Sequence, residues 1–190
     1  MAKQYPDIDG VQSEFISRQK IFFTATATAG SRVNISPRPT DCLRVLSPNR
    51  VVYLDLTGSG NETAAHTRVD GRMTIMFCSF EGPPKILRLY GKGRIIAHGS
   101  AEYGELLAAH YNNEEPLGAR QIASLDIDLV QTSCGFGVPL FDYVGERPTL
   151  ARWAESKDKD IGLDAYRRQK NQLSIDGLPT GMFEDEEQDA

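Results

Sequence analysis

The sequence predicts a mainly β fold, a small antiparallel barrel with flanking helices. Three observations predict it. Short runs of alternating apolar residues recur along the chain, each closed by a Gly or Pro turn. One long strand-like run, residues 85–98, contains Gly91 and Gly93, which permit the bulge or sharp bend a barrel requires. Helical stretches are few, and no βαβ repeat joins them to the strands.

Taken in order, residues 1–12 are polar and read as a loose arm, and 13–19 as a short helix. Residues 20–27 form a strand. Gly30-Ser31 turns the chain into 32–36, which alternates like the returning strand of a hairpin, and Pro37 and Pro39 are expected to end it. Residues 43–46 make a short strand, Ser47-Pro48-Asn49 a turn, and 50–56 a strand rich in β-branched and aromatic residues. A Gly58-Ser59-Gly60 turn follows, then a short helix. Ser59 and Glu62 have the spacing of a capping box that would start this helix. Residues 72–78 and 85–98 are strands separated by Gly82-Pro83-Pro84. Residues 100–111 are helical with Ser100 as N-cap, and 119–132 alternate as another strand. Residues 149–157 and 161–173 have helical spacing. The organisation expected is a loose arm (1–12), a barrel domain (13–147), a helical C-terminal extension (148–180) and an acidic tail (181–190).

Composition narrows the function classes. The net charge is -5, so a basic surface for nucleic acid is not expected. No apolar run reaches transmembrane length, and no basic-then-apolar leader opens the chain. Three widely spaced cysteines, Cys42, Cys78 and Cys134, with no C-x-x-C pair, argue against a disulfide framework or zinc knuckle and fit a reducing cytoplasm. His98 and His110 lack partners at ligand spacing, so no metal site is expected, and no Ser-His-Asp set can be assembled.

The stretch that invites chemistry is the strand-to-helix junction after Leu56. Free backbone N–H groups at a helix start seat a phosphate, and glycines let a ligand come close. Gly58-x-Gly60-x-x-Thr63 resembles half a dinucleotide fingerprint but lacks the third glycine, and no Gly-Lys-Ser/Thr follows to make a P-loop. A plain tight turn explains the same residues. A second Gly-rich loop, 131–139, contains Ser133 and Cys134, which either cover a ligand or connect two elements with the thiol inert.

Several motifs agree in order: Phe22-Phe23-Thr24-Ala25-Thr26-Ala27, Arg32-Val33-Asn34-Ile35-Ser36-Pro37, the Tyr53 strand with its short helix, Gly71-Arg72-Met73-Thr74-Ile75-Met76-Phe77, and Leu89-Tyr90-Gly91-Lys92-Gly93-Arg94. Together they resemble the pyridoxamine 5'-phosphate oxidase-like family of flavin-binding split barrels over roughly residues 15–133. The resemblance implies a six-stranded antiparallel Greek-key split barrel that dimerises, with flavin mononucleotide (FMN) at the dimer interface. It places the flavin phosphate at Thr57, Gly58, Ser59, Gly60, Asn61 and Thr63, with His66 nearby, and the ring along Asn34, Ile35, Ser36 and Pro37. Asp55 would bond the flavin or cap a turn, and Ser133 or Cys134 would lie near the ring.

Two departures stand out. The family's usual helix lysine aligns with Thr63, so another cation must meet the phosphate; Arg68, Arg72 and Arg88 are the candidates, Arg88 preferred. The missing lysine also admits a deazaflavin or haem, both found among similar proteins. The family's C-terminal Arg/Pro-rich substrate motif is absent, which argues against vitamin B6 oxidation. The expected function is an FMN-dependent oxidoreductase acting on a small molecule of unknown identity, without an identifiable catalytic side chain. The alternatives are a non-catalytic flavin or haem binder or sensor, and a barrel that serves only as an interaction module.

Overall fold

The computed structural model describes residues 2–184. It is an antiparallel β half-barrel with helices against it. The strands are β1 (Lys3–Tyr5), β2 (Ile21–Thr26), β3 (Asn34–Pro39), β4 (Leu43–Ser47), β5 (Arg50–Leu56), β6 (Arg72–Cys78), β7 (Ile86–Ala97) and β8 (Ala119–Ser133). They form one sheet in the order β3-β2-β6-β7-β8-β5-β4, with β1 added on β8. Among the described residues eight strands thus stand where the family resemblance implies six. The helices are α1 (Gly10–Arg18), α2 (Glu62–Val69), α3 (Ala101–His110), α4 (Thr149–Asp160) and α5 (Leu163–Lys170).

The sheet buries both faces near its middle. Phe22, Tyr53, Ile75, Phe77, Leu87 and Leu125 fill the inside of the curve. Val52, Leu54, Ile96 and Ile122 face the other way, onto Tyr103, Leu106 and Leu107 of α3. This is why β5 is apolar at successive positions instead of strictly alternating. Gly91 is the hinge of the bend. The β7–β8 register shifts between Tyr90 and Gly91, and a Cβ on Gly91 would fall 1.9 Å from the Asp126 carbonyl oxygen.

Three local expectations are corrected. Residues 1–12 are not a loose arm where described: β1 pairs with residues 130–132 of β8, Ile8 is buried, and Asp9 caps α1 in a capping box with Gln12. Pro37 and Pro39 do not end β3 but lie within it, paired with Phe23 and Ile21. That is possible because β3 is an edge strand, where a missing N–H breaks no ladder. Ser59 does not cap α2; Asn61 occupies the N-cap position, and its side chain makes no capping bond. Residues 185–190 of the acidic tail lie outside the described residues.

The Ser100 cap is present: its hydroxyl accepts from the Tyr103 N–H at 3.2 Å. Ser100→Ala should lower unfolding stability by about 1 kcal/mol without changing the denaturant slope, measured by urea unfolding. A change below a few tenths would show that the cap is not needed. Among the described residues no helix is long and apolar enough to cross a membrane.

Candidate functional site

The β5 strand ends at Leu56 and the chain turns through residues 57–61 into α2. The turn is fixed from beneath. The Thr57 N–H and hydroxyl both donate to the Gly118 carbonyl at 2.8 Å, and Arg167 Nε donates to the Thr57 hydroxyl at 2.9 Å. The Asn61 side chain is engaged with Gln121, whose Nε2 donates to Asn61 Oδ1 at 2.8 Å, so the first turn of α2 keeps its N–H groups uncapped. The positive end of a helix dipole therefore opens beside the turn.

Behind the turn lies a buried charge cluster. Asp55 is 1 % exposed, and its Oδ2 accepts from Arg120 Nε at 2.9 Å and from Gln121 Nε2 at 2.7 Å. Its Oδ1 is ion-paired with Arg38 Nη1. Arg38 also lies over the Tyr53 ring, 4.8 Å from the centroid. Burial pushes the Asp55 carboxyl up, but the Arg120 and Arg38 guanidiniums outweigh it and hold the group below its ordinary value. Two guanidiniums thus share one carboxylate, and the surplus is positive.

Both arginines border a cavity of about 660 Å³. Asn34, Ser36 and Pro37 of β3 form one wall. Residues 57–63, the Glu62 carboxylate included, form another, and Lys170, Leu173, Ser174 and Ile175 of the C-terminal segment a third. The two stretches singled out in the sequence, 20 residues apart at their nearest named positions, Pro37 and Thr57, are therefore brought together.

Other residues singled out lie elsewhere. Ile35 alternates to the opposite face of β3 and is exposed. Asp55 sits behind the cavity. His66 is buried, with Nδ1 3.0 Å from the Thr26 hydroxyl. Arg68 pairs with Glu184, and Arg72 donates to the Ala27 carbonyl and to Asp70. Arg88 donates to the Ser133 hydroxyl at 3.1 Å, well along β7 and β8 from the rungs that flank Asp55. Cys134 is exposed beyond β8. None of Arg68, Arg72 and Arg88 lines this cavity; Arg38 and Arg120 do.

Those two arginines were missed because contacts far apart in sequence define them. A signal existed: Asp55 and Arg120 are opposite charges within two strands, and a charge buried in a sheet is tolerated only if it meets a partner. Cys42 is no nucleophile candidate, because burial pushes its thiol up to about 12. Among the described residues, no group of three or more His, Cys, Asp or Glu side chains could hold a metal ion.

The chain matches the family model described as pyridoxamine 5'-phosphate oxidase over residues 8–134. A pyridoxamine 5'-phosphate oxidase family protein of Aspergillus flavus, ustO, is 38% identical, the alignment covering 92% of this chain and 76% of that protein. Among solved structures, HupZ of Group A Streptococcus superposes with a TM-score of 0.52 at 18% identity, over 64% of this chain and 91% of its own. HutZ, the heme storage protein from Vibrio cholerae, gives 0.50 at 17%, over 68% and 98%. A putative pyridoxamine 5'-phosphate oxidase from Lactobacillus delbrueckii gives 0.51 at 12%, over 66% and 94%. At these identities the solved structures share the fold.

Proposed function

The chain belongs to the pyridoxamine 5'-phosphate oxidase family, and from that premise we propose that it is an FMN-binding oxidoreductase whose cofactor occupies the cavity between β3 and the turn at residues 57–63. The observation that carries this reading is the meeting of those two stretches on one cavity with a surplus of buried positive charge. A volume of about 660 Å³ suits a mononucleotide. The donor set fits its anionic end: an uncapped helix start and two guanidiniums take the place of the family's lysine.

Flavin supplies the hydride chemistry when bound. The chain's own part is position and electrostatics. Asn34, Ser36 and Pro37 offer an edge-strand wall for the ring, and Arg38 and Arg120 hold the charge of the phosphate. Among the described residues no His, Cys, Met or Tyr side chain lines the cavity, so these residues offer none of the usual axial ligands of haem. Arg88, Ser133 and Cys134 lie too far along β7 and β8 to reach this cavity, and in a two-fold homodimer they would serve a site shared with the second subunit. The substrate is a small molecule, and the missing Arg/Pro-rich motif argues against vitamin B6.

The test is anaerobic reduction of the FMN-loaded protein by a nicotinamide donor, followed by reoxidation with an electron acceptor. Loss and return of the yellow flavin band over repeated cycles is the expected result. Flavin that binds but is never reduced would contradict the oxidoreductase and leave a carrier or sensor.

A further inference from the structure

The family match ends at residue 134, yet the wall of the cavity does not. Asn171, just past α5, is fully buried and reaches the glycine turn. Its Nδ2 donates to the Gly58 carbonyl at 3.1 Å, and its Oδ1 accepts from Arg120 Nη1 at 2.9 Å. The same Arg120 Nη1 donates to the Gly60 carbonyl at 2.9 Å. The Asn171 carbonyl in turn accepts from the Thr180 hydroxyl at 2.7 Å, which ties the residue into the C-terminal segment.

A planar trans peptide points its C=O and N–H in opposite directions. With the Gly58 and Gly60 carbonyls held by Asn171 and Arg120, the N–H groups of Ser59 and Asn61 are turned the other way. Among the described residues neither N–H has a backbone or side-chain partner. Two amides of one turn aimed to the same side in this manner form an anion-binding concavity.

We propose that Asn171 is a positioning residue that sets the peptide orientation of the 58–61 turn, so that its N–H groups receive a phosphate monoester. The C-terminal segment thereby completes a site that the family region leaves open. This rests on the FMN reading of the cavity, which it deepens.

The test compares FMN with riboflavin, which lacks the phosphate, by titration calorimetry of the full chain. Wild type binds FMN more tightly. Asn171→Ala lowers FMN affinity about tenfold and leaves riboflavin affinity unchanged, since the lost contact acts through hydrogen bonds to a charged group. Thr180→Val, which frees Asn171 at one remove, shifts the ratio the same way by less and stands in if Asn171→Ala does not fold. Leu173→Ala, which alters the cavity wall, weakens both flavins by one factor. If N171A weakens both equally, Asn171 is merely structural and the proposal falls. Equal wild-type affinity for the two flavins overturns it as well. If wild type binds neither flavin but inorganic phosphate raises its melting temperature, and N171A cancels that rise, the FMN reading fails while the role of Asn171 stands. No flavin binding and no phosphate effect overturns both.

Discussion

Asp55→Ala should lower global stability by about 3–5 kcal/mol, because it leaves two buried guanidiniums without their shared carboxylate. Arg120 is 6 % exposed as a residue and cannot turn to water without breaking its bonds to Gly60 and Asn171. Gln121 Nε2 loses one of its two acceptors in the same step and keeps Asn61 Oδ1. For a chain of this size the melting temperature should fall by roughly 10 °C. Asp55→Asn keeps an acceptor for Arg120 and should cost less. The pH dependence has a definite sign. Asp55 has a depressed folded pKa, so its contribution is fully present above the unfolded value near 3.8 and is lost as pH falls through the lower folded value. The stability gap between wild type and D55A should therefore be constant above about pH 5 and shrink in stronger acid. Urea unfolding across that range measures it. A variant as stable as wild type at neutral pH would show that the cluster does not hold the fold.

Arg38→Met should weaken FMN binding by about 10- to 100-fold while leaving riboflavin affinity near that of wild type. Arg38 lines the cavity, and its Nε is buried without a hydrogen-bond partner. Removing it leaves Asp55 balanced by Arg120 and bonded to Gln121, so the cluster becomes neutral instead of losing its anchor. Its stability loss should be smaller than that of D55A. Equal loss of both flavins would assign Arg38 to packing over Tyr53, and no loss would move the phosphate elsewhere.

Much of the fold was legible because it depends on near neighbours in sequence. Strand-like runs bounded by turn residues mark β2, β5, β6, β7 and β8 nearly to the residue, Ser100 marks the start of α3, and the paired glycines mark the β7 bend. What failed needed partners from far away. Ser59 and Glu62 have capping-box spacing, but the Glu62 carboxylate accepts instead from the Ile175 N–H at 3.1 Å. The prolines of β3 read as terminators because nothing local says that a strand is at an edge. Residues 3–5 read as loose because three polar residues gain strand structure only from β8.

The site divides in the same way. The backbone turn and the β3 wall could be read from composition and order. Their charge could not, because Arg38 and Arg120 stand 17 residues before and 65 residues after Asp55 and meet it only through the fold. The candidate cations Arg68, Arg72 and Arg88 lie near α2 and on β7, whereas the sheet register sets Asp55 opposite Gln121, the neighbour of Arg120. Asn171 was invisible for the same reason.

The most direct measurement is titration of the purified full chain with FMN, followed by quenching of flavin fluorescence. Saturable binding at one flavin per chain, tighter than riboflavin, is the result the cavity predicts. A chain that leaves FMN fluorescence unchanged throughout the titration would contradict the central claim and leave the half-barrel as a scaffold for another ligand.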